Sequence, residues 1–301
     1  MSIKTFWKSS TVNKLLIIFV ALWILLAIVF GIYDLQISQF LFDQNNPLAK
    51  LVQNFGELPG ILVGLFAIFV YFAGTKFKTK GREKLSLLAG VIISTGLLFY
   101  ILKTIFEAVN FNFDFISIYS ISVGLFFILV SLGIFYLFKK NFKIFSKKNY
   151  LFGKITFYTF VVAGIIVEVL KTVWGRIRYE NVASGTASFT QWFIPQGITG
   201  GNSFPSGHAY LGWMLIPLIL IFINKGKIQK WLAIIITSFF GLFISFERVV
   251  YGAHYASDVL FSFGIVTIIF LIIYKKHFRG KGINPSTKAP KNKIKNKAKD
   301  L

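Results

Sequence analysis

Two of the three histidines in this chain stand in unusual company. His208 closes the run Pro205-Ser206-Gly207-His208, and His254 lies six residues after Arg248 and four before Asp258. Residues i and i+4 share one face of a helix, so Asp258 can reach His254. A carboxylate there holds one imidazole nitrogen and leaves the other free to attack. Ser206 and Gly207 read as the opening of a helix, where free backbone N–H groups and the positive dipole end attract an anion. Glycine lets that anion come close. Lys171, Arg178 and Arg248 add fixed positive charge, and guanidinium forks suit phosphate oxygens. Together these residues make a phosphate cradle with a nucleophile and room for a second acid. A metal pair at His254 and Asp258 is the competing chemistry, but no third ligand stands at metal spacing. The absence of cysteine removes thiol catalysis and Cys-ligated metal.

The elements that must position these residues are membrane spans. The 301 residues are 55% hydrophobic and only 15% charged, which excludes a soluble globular enzyme and extensive disorder alike. Apolar runs long enough to cross a bilayer, or nearly so, lie near 15–33, 58–75, 85–106, 116–138, 151–170, 208–224, 231–247 and 255–274. The first lacks a cleavage site and reads as an uncleaved span. The segment 34–57, mixed in character, reads as an external stretch in the interface. With a cytoplasmic N-terminus and eight crossings, six of the 33 Lys and Arg face outward: Lys50, Lys103, Lys171, Arg176, Arg178 and Arg248. That asymmetry is the positive-inside pattern with both termini in the cytoplasm. It accounts for the net charge of +22 without nucleic acid, whose binding would need aromatics interleaved with the cations on one surface. Both site histidines then fall on the outer side.

At these residues the chain resembles the type 2 phosphatidic acid phosphatase family, which includes the vanadium haloperoxidases. The family pattern is Lys, six residues, Arg-Pro; then Pro-Ser-Gly-His; then Ser-Arg, five residues, His, three residues, Asp. Here Lys171 and Arg178 match the first block, with Tyr179 in place of Pro. Pro205 to His208 complete the second. Arg248, His254 and Asp258 match the third, with Glu247 in place of Ser. The resemblance implies that Lys171, Arg178, Ser206, Gly207 and Arg248 bind phosphate. It further implies that His254 is the nucleophile, Asp258 its orienting partner and His208 the acid for the leaving oxygen. Arg176 matches no family position and is left open between a site cation and an interfacial one.

The expected fold is an all-α polytopic bundle of about eight transmembrane helices with a haloperoxidase-like core. Residues 1–84 form an additional N-terminal pair of spans with its external segment, 85–276 the catalytic core and 277–301 a basic cytoplasmic tail. That tail is expected to be solvated and disordered, and suited to anionic headgroups. Glu168 is expected to pair with Lys171, and Trp174 and Trp192 to anchor at the interface. The loop 179–204 reads equally as a lid at the substrate entrance or as a plain outer loop. The expected protein is a plasma-membrane phosphatase acting on a lipid phosphate or diphosphate at the outer face through a phosphohistidine, with no metal or cofactor. A lipid-linked phosphotransferase is the alternative within the chemistry; a non-catalytic phospholipid-binding or transport protein is the alternative outside it.

Overall fold

The computed structural model describes residues 11–76, 78–109, 118–141, 147–223 and 225–279. Among them the chain forms helices joined by turns and loops, with no strand. In chain order these are α1 (Thr11–Leu41), α2 (Pro47–Phe55), α3 (Leu58–Gly74), α4 (Lys80–Ala108), α5 (Ile118–Lys140) and α6 (Lys147–Trp174). There follow α7 (Tyr179–Ala183), α8 (Gly207–Trp213), a 3₁₀ turn (Ile216–Leu218), α9 (Ile219–Phe222), α10 (Lys227–Val250) and α11 (Ala256–Arg279). Seven described helical segments have the length and apolarity to cross a bilayer. Their outward faces carry large apolar side chains: Ile121, Leu125, Phe126 and Leu129 of α5 are each more than half exposed. Such a surface is stable against lipid and not against water, so the protein is an integral membrane protein. The basic tail expected from residue 277 onward lies largely outside the described residues.

Two expectations are corrected. The first concerns 34–57, read as an external interfacial stretch. Helix α1 instead runs on to Leu41, and Asp34 and Ser38 are fully buried. The continuation is stable because Ile37 and Leu41 pack on the main core and Asp34 finds an arginine inside the bundle. The second concerns the sixth run, 208–224, which is not one continuous helix. It breaks after Trp213 and resumes through the 3₁₀ turn at Pro217, a residue with no N–H to extend the helix before it.

Close helix contacts are set by small residues, as membrane bundles require. A Cβ at Gly60 of α3 would stand 2.0 Å from the carbonyl oxygen of Leu211 in α8. One at Gly64 would stand 2.7 Å from the Phe160 ring of α6. The N-terminal helices are thus packed into the bundle rather than beside it: α1 lies along α11, α3 along α6, and α2 against α4 and α10. The ends that meet at the site are the C-terminal ends of α6 and α10 and the N-terminal ends of α8 and α11.

Candidate active site

Helix α6 ends where Gly175 takes φ +58, a left-handed conformation that side chains with a Cβ resist. The chain turns there and sends Arg176 inward. Arg178 follows two residues later, ahead of the short α7. Helix α8 opens with Ser206 as its cap: the Ser206 Oγ accepts from the Ala209 N–H at 3.2 Å. Helix α10 delivers Arg248 from its last turn, and the turn 251–255 carries His254 to the start of α11, where Asp258 lies in the first turn.

His254 is 3% exposed. Its Nδ1 donates to the Ser203 backbone carbonyl at 2.6 Å, since a carbonyl can only accept. That bond fixes the tautomer and leaves Nε2 with its lone pair free. Burial holds the His254 pKa well below the usual imidazole value, reinforced by the positive charge of Arg248 and Arg178 and by His208 and Lys171. The cations named from the sequence therefore converge on this ring. The neutral, nucleophilic form is the resting form.

The expected orienting partner is arranged differently. Asp258 Oδ2 lies 3.9 Å from His254 Nδ1, outside hydrogen-bond reach. The carboxylate accepts instead from Arg176 Nη1 at 2.5 Å, Ser203 Oγ at 2.6 Å and the Tyr255 N–H at 2.9 Å. Through Ser203, whose carbonyl receives the His254 proton, Asp258 steadies the ring indirectly. The (i, i+4) spacing places the two residues side by side, but the nearer carbonyl takes the proton.

The phosphate-binding candidates surround this ring. Arg248 is 1% exposed; its Nη1 donates to the Gln53 side chain, and its Nε meets no partner among the described residues. Arg178 pairs through Nη1 with Glu180 at 3.3 Å, and its Nε is likewise buried without a partner among the described residues. Two buried, unsatisfied guanidinium donors are costly unless an anion completes them. Lys171 pairs with Glu168 at 3.0 Å and stands beside Gly207, where a Cβ would meet its Nζ at 3.1 Å. Ser206 is fully buried, its N–H spent on the Asp258 carbonyl and its Oγ accepting at the cap. His208 makes its contacts with α2 and α3: Nδ1 is 2.8 Å from Glu57 Oε1, and Nε2 is 3.1 Å from the Gln53 carbonyl.

Arg176, left open by the sequence, is fully buried and central. Its guanidinium bonds Asp258, Asp34 at 3.0 Å, Ser257 Oγ at 2.9 Å and the Thr190 carbonyl at 3.0 Å, and lies over the Tyr255 ring at 3.9 Å. Asp34 in turn accepts from the Ser257 N–H at 2.9 Å and from its hydroxyl. Asp34, Gln53, Glu57 and Tyr100 were missed as site residues. Asp34 and Glu57 carried a usable signal, being acids that border or interrupt apolar runs; Gln53 and Tyr100 carried none. Tyr179, in the family's Pro position, packs edge-on to Phe42 at 5.2 Å and to Tyr255 at 6.0 Å. Glu247 is 5% exposed, and nothing in the structure explains the acid there.

Two cavities reach the site. One of about 400 Å³ touches Arg178, Glu180, Asn181, Thr199 and Asn202 beneath the loop 179–204. The other, about 270 Å³, reaches His208 and is lined by polar groups including Gln53, Asn54, Tyr100 and Thr104. Among the described residues no three His, Asp or Glu side chains gather as a metal-ligand group.

Comparison with known proteins adds one match. The family model described as the PAP2 superfamily matches residues 152–281, the stretch that carries all three sequence blocks. No curated protein matches the chain, and no solved structure does. Phosphatase-type activity is general in that family. The ordered cationic blocks, the buried His254 with the partly exposed His208, and the matched stretch agree, and residues 152–281 of this helical membrane protein belong to the PAP2 superfamily.

Proposed function

We propose that this protein is a phosphatase of membrane lipids that hydrolyses a lipid phosphate or diphosphate at the outer face through a phosphohistidine at His254. The observation that carries this reading is the pairing of a neutral His254, its Nδ1 proton committed to Ser203, with two buried guanidinium Nε groups that await an anion. In the first step His254 Nε2 attacks phosphorus, the bond from phosphorus to the leaving oxygen breaks, and His208 gives that oxygen its proton. In the second step water attacks the phosphohistidine, the N–P bond breaks, and His208 takes a proton from the water. Arg178, Arg248 and Lys171 hold the phosphoryl oxygens throughout and meet the growing equatorial charge.

The lipid assignment is supported by the place of the site, at the ends of spanning helices where a phosphorylated headgroup lies. The outer face is supported by the distribution of Lys and Arg between alternate connections. The test is phosphate release by detergent-purified protein from phosphatidic acid, phosphatidylglycerophosphate, a polyprenyl diphosphate and a phosphorylated glycolipid. Release from at least one, lost in His254→Ala, is expected. Release from none, with tight binding retained, would make the protein a phospholipid-binding one instead.

A further inference from the structure

The general acid of this site is held by residues far outside the matched stretch 152–281. Glu57 occupies the N-cap position of α3, yet its side chain makes no bond to that helix. It turns to His208 Nδ1 at 2.8 Å and also accepts from the Tyr100 hydroxyl of α4. The other ring nitrogen of His208 faces the Gln53 carbonyl at 3.1 Å. A carboxylate that accepts from Tyr100 and a peptide carbonyl both offer only lone pairs. Only an imidazole with a hydrogen on each nitrogen satisfies both neighbours.

The geometry points to Glu57 as the positioning residue that fixes His208 through Nδ1 and keeps it loaded with the Nε2 proton that the leaving oxygen takes. The inference rests on the phosphatase reading above and assigns the acid's second partner within it. The charged and titratable groups facing His208 come from several elements. Burial of the ring and the charge of Arg248 of α10 weigh against the extra proton, with Lys171 of α6 close by; Glu57 and the Gln53 carbonyl favour it, with Tyr100 behind Glu57 and Glu107 on the wall of the same cavity. Glu57 is the carboxylate in direct contact with the His208 ring, placed to offset Arg248 and the cost of burial. Its position also leaves the 270 Å³ cavity beside His208 as room for the departing group. On transfer the His208 N–H bond breaks, an O–H bond forms on the leaving oxygen, and Glu57 stays ionised throughout.

The experiment compares wild type, Glu57→Gln and Tyr100→Phe as full-length protein in detergent. One arm measures kcat on the best lipid phosphate of the panel and on p-nitrophenyl phosphate, whose leaving group needs no proton. Glu57→Gln is expected to lower lipid turnover about tenfold or more while changing aryl turnover less than about threefold. Tyr100→Phe should act in the same direction and more weakly. Equal losses on both substrates, or no loss on either, would overturn the assignment. The second arm needs no activity: nitrogen NMR of ¹⁵N-histidine-labelled protein at neutral pH. Two protonated nitrogens on His208 are expected in wild type, and one bare nitrogen in Glu57→Gln. If wild type turns over neither substrate, the phosphatase reading fails and this arm alone decides the Glu57–His208 pair. A His208 signal unchanged by Glu57→Gln would sink it.

Discussion

His254 and His208 are held by different partners, and that difference predicts different phenotypes. His254 keeps its Nδ1 proton on a carbonyl, which leaves Nε2 for the proposed attack on phosphorus. His254→Ala should abolish turnover of a lipid phosphate and of p-nitrophenyl phosphate alike. In the proposed mechanism His208 supplies only the leaving-group proton, worth about 10²–10⁴-fold for a positioned general acid. His208→Ala should therefore damage the lipid reaction by that order and the aryl reaction far less. Steady-state rates of the two variants on both substrates check this. The pH dependence follows from the lowered His254 value. A lowered pKa leaves the imidazole neutral, and nucleophilic, to more acid pH than usual. The acid limb of kcat/KM on p-nitrophenyl phosphate, corrected for the substrate's own ionisation, should lie below about pH 6.5, the free imidazole value. A limb at or above that value would contradict the buried, neutral nucleophile.

At the scale of elements, α1 is tied to the site by charge. Asp34 and Arg176 are both fully buried, and with Asp258 and Ser257 they connect α1, the turn after α6 and the start of α11. Removing one partner of a buried pair typically costs about 3–5 kcal/mol, because the other charge is left uncompensated. Asp34→Ala should lower the melting temperature in detergent markedly and reduce activity, although Asp34 is not among the proposed phosphate-binding residues and bonds only Arg176 and Ser257 among the described residues. Asp34→Asn, which keeps the shape and loses the charge, should be milder. The sequence made the α6, α8, α10 and α11 ends legible because their motifs lie on consecutive runs and share one side of the bilayer. It did not make the N-terminal contribution legible. Asp34 sits just past the apolar stretch of α1, where the composition suggests an exit from the membrane; only the arginine arriving from residue 176 makes a continued helix stable. Asp258 was found by its spacing to His254, but spacing along a helix cannot show that the Ser203 carbonyl comes closer. The break in the sixth run was written in Pro217, yet the run's apolarity concealed it.

For the whole molecule, the excess of Lys and Arg on one set of connections predicts an outward-facing site. Because the chain has no cysteine, single Cys probes report cleanly. Ile198→Cys, at a position 83% exposed in the long loop, should label with an impermeant reagent from outside intact cells. Lys225→Cys, also exposed and at the opposite end of α10 from the site, should label only after permeabilisation. The reverse pattern would place the site on the cytoplasmic face. The proposed anion socket is built from Lys171, Arg178 and Arg248, so turnover should persist in EDTA and be inhibited by vanadate, which mimics the five-coordinate phosphoryl state; activity that EDTA removes and one divalent ion restores would count against the mechanism.

The central claim is a covalent phosphoryl group on His254, and trapping tests it most directly. Purified protein is mixed with ³²P-labelled lipid phosphate, quenched in alkali within milliseconds and digested. The account predicts label on the peptide that contains His254, stable to base and lost in acid, and absent from His254→Ala. Turnover with the label on another residue, or continued phosphate release by His254→Ala, would contradict it.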